Sequence, residues 1–215
     1  MKLKVFTLCC VILMGYAPQS LSRPVSYPGG WTVMQKNDKN AHSLHVHYSP
    51  TAKYSIGYRT EYWREEDWQF HGAQLNYLVK RHNAPDSQAN FYLKSGLGMA
   101  YGDLGVPDGE PQPAAFADIA LDWETRRYFT SYENRVYYAE DIAKFFRQKA
   151  RAGIAPYIGD YGDIHTWLML QVDHITGERD NISFTPFVRF FKNEYLAEVG
   201  ISDKGGILFN LIIRF

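Results

Sequence analysis

An all-β chain is what this sequence predicts: a transmembrane antiparallel up-and-down barrel of twelve strands. Three observations carry that expectation. Stretches of period-2 alternation recur through residues 23–215, separated by Gly, Pro, Asn and Asp clusters of the kind that form hairpins. One face of these stretches is apolar and begins or ends in Tyr, Trp or Phe, while the other carries charges and glycines in mid-strand. The chain also closes on "GILFNLIIRF", its most apolar alternating stretch, where an ordinary soluble domain frays in water. A soluble sandwich alternates too. It does not account for aromatic-tipped outward faces over charged inward ones, whereas a barrel in lipid needs aromatic girdles, an apolar band and a polar lumen. Only helices and closed barrels satisfy every backbone amide in lipid.

The first element is a targeting segment, residues 1–22. Lys2 and Lys4 precede an apolar run from Val5 to Met14, and Ser20 and Ser22 precede Arg23, which predicts a Sec-type signal peptide cut after Ser22. Cys9 and Cys10 leave with it, and Leu8 before Cys9 does not suit lipid attachment. The exported chain then has no disulfide staple. No later apolar run approaches the roughly 18 residues of a membrane helix. Lysine plus arginine equal aspartate plus glutamate at 23 each, so no nucleic acid or other charged polymer is implied as partner.

Residues 23–215 read as one barrel domain. Strands are predicted at Trp31–Asn37, Ala41–Tyr48, Tyr54–Arg64, Trp68–Lys80, Asn90–Gly102 and Ala114–Trp123. Six more are predicted at Arg126–Ala139, Phe145–Ile158, Ile164–His174, Asn181–Phe191, Tyr195–Ser202 and Ile207–Phe215. "ETRR" is a poor turn, so the boundary inside 114–139 is the least defined, and Asp141–Lys144 reads as a brief helical turn. An even strand number returns the C-terminus to the side from which an exported chain starts. Twelve strands meet this condition, and ten do if the first pair lies outside the wall. The longest connection, "GDLGVPDGEPQP", then falls on the outer side.

Facing singles out the candidate sites. In "AHSLHVHYSP", Leu44, Val46 and Tyr48 take the lipid face, so Ser43, His45 and His47 point inward. With Met34 on the neighbouring strand, and His165 and Met169 inward from the opposite wall, imidazole and thioether form a set that suits copper, with zinc the other metal considered. Lumen hydrogen bonding by the same histidines is the plainer reading. A second set is charged: Arg59, Glu61, Asp118, Asp122, Glu124, Arg147, Lys149 and Arg151 are expected to line the lumen, joined by Arg127, Arg135, Glu198 and Arg214. Arg147, Lys149 and Arg151 alone would make an anion ladder. The carboxylates near them in sequence favour mutual neutralisation in a packed lumen, because unpaired charges away from water are costly. Ser43 with a histidine supplies the residue types of a lipid-modifying enzyme, yet no G-x-S-x-G elbow occurs, and no catalytic residue is assigned. "SGLGMAYG" sits within a strand and reads as barrel packing.

The terminal alternation of Phe209, Leu211, Ile213 and Phe215 resembles the C-terminal assembly signal of Gram-negative outer-membrane β-barrel proteins. The resemblance implies a cell outer-membrane location, with membrane lipid and the assembly machinery as partners. In size and short loops the chain also looks like the small twelve-stranded acidic-oligosaccharide channels. The expected role is a monomeric, narrow channel or transport accessory for a small solute or ion, without a cofactor unless the histidines take copper or zinc. A metal-responsive barrel is the alternative and a lipid-modifying enzyme the third.

Overall fold

The computed structural model describes residues 25–102, 110–160, 162–177 and 182–215. The signal segment and its cut after Ser22 lie outside these residues, as do positions 103–109 of the long connection. Twelve strands form one closed barrel: β1 (Gly30–Asn37), β2 (Ala41–Ser49), β3 (Tyr54–Trp63), β4 (Trp68–Ala84), β5 (Ser87–Gly102), β6 (Gln112–Thr125), β7 (Tyr128–Ala139), β8 (Ala143–Ile154), β9 (His165–Ile175), β10 (Ile182–Lys192), β11 (Tyr195–Ile201) and β12 (Ile207–Arg214). Each strand pairs antiparallel with the next, and β12 returns to β1, with Thr32 opposite Arg214 and Asn37 opposite Phe209. Beyond that ladder, Trp31 N–H donates to Phe215 O at 2.7 Å and Phe215 N–H donates back to Trp31 O at 3.0 Å. The wall therefore has no open edge. The first pair belongs to it, which makes the count twelve and not ten.

Four local expectations are corrected. β4 and β5 run to Ala84 and from Ser87, leaving Pro85 and Asp86 as a two-residue tip, and a bulge between Leu78 and Lys80 absorbs the extra length. β8 stops at Ile154, well before Ile158, because Pro156 has no N–H to extend a ladder. "ETRR" turns through Thr125, whose Oγ1 accepts from the N–H groups of Arg127 at 3.0 Å and Tyr128 at 2.8 Å. Arg127, expected inward, is consequently exposed at that tip. Asp141–Lys144 is no helical turn: Ile142 N–H donates to Ala139 O at 2.7 Å and β8 already begins at Ala143.

The alternation places side chains as expected. Ile56, Leu75, Leu93, Ile119, Leu168 and Phe184 are exposed on the outer face. Trp31, Tyr54, Trp123, Tyr128 and Tyr195 ring the end that holds both termini, here the terminal end. Tyr62, Tyr101 and Tyr138 stand near the other, far end. An exposed apolar band between aromatic rings is a surface for lipid and not for water. The four signal residues follow the pattern: Phe209 and Phe215 are exposed and Leu211 and Ile213 half-buried, whereas Leu208, Asn210, Ile212 and Arg214 are buried inside.

Candidate functional site

The lumen is stratified, starting with an aromatic plug at the far end. Trp63 closes β3 and Trp68 opens β4, and their rings stack at 5.7 Å and 1°. From the opposite wall, Phe145 of β8 meets Trp63 edge-on at 4.7 Å and Tyr137 of β7 meets it at 5.4 Å. Tyr137 and Phe145 stack at 4.8 Å, and Phe70 and Phe116 add a contact at 5.6 Å. Trp68 and Phe70 are fully buried. Ala41, Ala100, Ala114, Ala139 and Ala143 pack among these rings, and Gly96 lies flat under Phe116, where any Cβ would strike the ring. Small residues on the wall thus leave space that large rings fill from across the bore. In the β3–β4 turn, burial pushes the Glu66 carboxyl up, and Glu65 adds to this, while the Trp68 indole N–H donating to it at 3.2 Å works the other way.

Beneath the plug lies a layer of paired charge. Glu61 accepts from Arg59, from the Tyr137 hydroxyl and from Arg135 Nη1 at 3.2 Å. Arg135 also holds Asp118 at 2.7 Å and lies 3.6 Å from Glu133. Lys94 meets Glu133 at 2.5 Å and Asp118 at 3.4 Å. A second hub is Asp38, in the turn after β1, which crosses the lumen to Arg147 at 2.7 Å and Lys149 at 3.2 Å on β8. The same two cations hold Asp173 at 2.5 and 3.7 Å. Burial alone would raise the Asp38 carboxyl, but Arg147 and Lys149 outweigh it and hold the group well below the usual carboxylate range. A third hub is Glu198, bonded by Arg189 at 2.7 Å, Arg151 at 3.2 Å and Asn210 at 2.6 Å.

All of the charges singled out from sequence except Arg127 therefore face inward, and Arg147, Lys149 and Arg151 form no bare anion ladder, since each has a carboxylate partner. Asp122 and Glu124 lie toward the terminal end, Asp122 accepting from Asn90 Nδ2 at 2.6 Å. Sequence reasoning left Asp38, Lys94, Glu133, Asp173 and Arg189 out of the charged set. All but Asp38 follow the inward period of their strands. Asp38 sits in a turn, and nothing in the local pattern points it across the bore. Between the charged hubs runs a cavity of about 170 Å³, whose wall includes Lys36, His45, Lys94, Glu133, Lys149 and Arg151. That volume holds on the order of ten waters.

The histidine expectation is met in part. His45 and His47 both face the lumen, with ring centroids 4.5 Å apart. Met34 lies directly opposite His45 across the β1–β2 ladder. The other two members stay apart: Met169 packs with Trp167, Phe187 and Leu208, and the His165 ring lies 6.3 Å from Phe191. Among the described residues, no group of three or more His, Cys, Asp or Glu side chains is arranged to hold a metal. Ser43 Oγ donates to Lys36 O at 3.5 Å and is bonded to neither imidazole.

No protein-family model matches the chain, and no curated protein matches it. Among solved structures it is similar to the KdgM porin, with a TM-score of 0.49 at 8% identity, over 86% of this chain and 98% of that one. It is similar to the NanC porin, with a TM-score of 0.47 at 8% identity over 86% and 98% of the two chains. LpxR from Salmonella typhimurium gives a TM-score of 0.47 at 7% identity over 86% and 99%.

Proposed function

We propose that the mature chain, residues 23–215, is a monomeric barrel of a Gram-negative outer membrane that passes water and small ions or solutes through a narrow lumen, and that the conformation described is its closed state. The observation that carries this reading is the charge-lined cavity of about 170 Å³, bordered on the far side by Tyr137 of the aromatic plug. A barrel that served only as a wall could fill its lumen with apolar side chains at lower desolvation cost. Here the polar residues surround water-sized space, and the aromatic plug stands at its far end. Membrane lipid covers the apolar exterior, and Phe209, Leu211, Ile213 and Phe215 serve as the assembly signal read on the last strand. The absence of a bond between Ser43 and either histidine favours passage over a serine-dependent lipid chemistry.

The test is single-channel recording in planar bilayers. Wild type is expected to be mostly closed, with brief small openings. The variant carrying Trp63→Ala and Trp68→Ala loses five ring contacts, each worth about 0.5–1.5 kcal/mol. It should open at least tenfold more often. If neither wild type nor the folded double variant conducts, the channel reading is wrong.

A further inference from the structure

The polar side chains of the His45 region are the least satisfied in the lumen. His45 Nε2, His47 Nδ1, His47 Nε2 and Thr32 Oγ1 are all buried without a hydrogen-bond partner within the protein. They belong to one patch: His47 stands opposite Thr32 and His45 opposite Met34 on adjacent strands, all turned inward. His45 is 3% exposed and His47 0%, so open solvent does not reach them. Buried polar atoms are paired as a rule, and several orphans together point to a missing partner.

The chemistry of the surroundings narrows that partner. No carboxylate completes the pair, since no three His, Cys, Asp or Glu side chains converge among the described residues. A closed zinc site would ask for four donors of the imidazole, thiolate or carboxylate kind. The neighbouring charges are positive: Arg59 lies opposite His45, Arg214 lies opposite Thr32, and Lys36 is the next inward residue after Met34. These cations repel a divalent ion twice as strongly as a monovalent one. Neutral imidazoles with a thioether are soft donors that favour copper(I). Met34 packs against Leu196 and Ile212 and stands opposite His45 in the ladder, and its side chain is of the unbranched, adaptable kind. Met34 and His45 both line the central cavity, which gives an ion a route to the pair.

We propose that His45 and His47 form a site for a soft monovalent metal ion of the copper(I) class, with Met34 as the third donor. The site is independent of the channel reading, because it sits in the wall of the cavity and needs no open bore. Silver(I), with the same charge and donor preference and no redox chemistry in air, is the probe. Titration of the refolded full-length mature barrel by calorimetry should give one Ag(I) site. His45→Ala with His47→Ala should abolish it, and Met34→Leu should weaken it about tenfold. Zn(II) should bind at least a hundredfold more weakly. The folded state of each variant is checked by heat-modifiable migration. Should the double variant fail to fold, imidazole ¹⁵N spectra of wild type decide the matter, with His45 and His47 nitrogens shifting on Ag(I) addition. Unchanged imidazole signals, undiminished Ag(I) binding in the folded double variant, or a preference for Zn(II) would each overturn the proposal.

Discussion

Arg135→Met tests whether the lumen charges act as a neutralised set. Arg135 is 6% exposed and serves three carboxylates: Asp118 at 2.7 Å, Glu61 at 3.2 Å and Glu133 at 3.6 Å. Its guanidinium also lies 4.4 Å from the Phe116 ring centroid. After substitution, Arg59 and Lys94 remain to balance Glu61, Asp118 and Glu133, so one carboxylate is left over. Breaking a buried pair from one side costs about 3–5 kcal/mol, and the adjoining cavity, large enough to admit water, places this case at the lower end. A loss of about 3 kcal/mol is expected, roughly a hundredfold in the folding equilibrium. Adding Asp118→Asn restores one-to-one pairing, Arg59 with Glu61 and Lys94 with Glu133. The double variant should then regain more than half of the loss, a coupling that independent sites would not show. Equilibrium urea unfolding of the refolded barrel in lipid vesicles, followed by tryptophan fluorescence, measures both numbers. If Arg135→Met stays within about 1 kcal/mol of wild type, or Asp118→Asn worsens it, the charges are not balanced as described.

Two more substitutions address the second hub and the plug. Asp38 has a folded pKa held below its unfolded value, so its stabilisation is fully present above about pH 4 and is lost as pH falls through the folded pKa. Asp38→Asn should therefore lower stability at pH 7 by about 1–3 kcal/mol, with the gap to wild type narrowing below pH 4; an equal gap in urea midpoints at pH 7 and pH 2.5 would contradict this. Gly96→Val drives a side chain into the Phe116 ring and should cost about 1–3 kcal/mol by overpacking, read as a lower urea midpoint, while Ser95→Val on the outer face of the same strand should leave the midpoint unchanged.

The legible and illegible parts of this molecule divide along a physical line. Facing was readable because the side-chain period in a strand is two, so Ser43, His45 and His47 had to share one side once Leu44 and Val46 took the other. Closure was readable because strands with an apolar outer face can lie in lipid only if the ladder closes and leaves no backbone amide unpaired. What crosses the bore was not. Asp38 reaches Arg147 over a separation of 109 residues, and Arg135 reaches Glu61 over 74. Such meetings depend on strand tilt and on how far the register climbs around the wall, neither of which leaves a local trace. Trp63 and Trp68 showed only as aromatics flanking a turn, and their meeting with Phe145 depends on the same climb. The β6–β7 turn was expected two residues early for a smaller reason: "ETRR" lacks Gly, Pro and Asn, and the single Thr125 hydroxyl does their work.

The two upper layers of the lumen differ in what it takes to rearrange them, and that difference decides where opening would begin. The charged hubs tie opposite walls together, β3 to β7 through Glu61 and Arg135, and the β1–β2 turn to β8 through Asp38. Parting them strands charges that water reaches only through a cavity of about 170 Å³. The aromatic plug leaves a smaller debt: each ring contact is worth about 0.5–1.5 kcal/mol, and a displaced Trp63 gives up its indole bond to Glu61 at 3.3 Å while that carboxylate keeps Arg59 and Arg135. Its rings also hang from strand ends, Trp63 on the last residue of β3 and Trp68 on the first of β4, where the backbone yields more readily than in mid-wall. Gating should therefore proceed by withdrawal of the β3–β4 turn with its two tryptophans while the ion pairs hold. Hydrogen exchange supplies the check: amides of Arg64–Trp68 should exchange faster than those of Arg135 and Arg147, and equal protection in the two regions would place the moving part elsewhere.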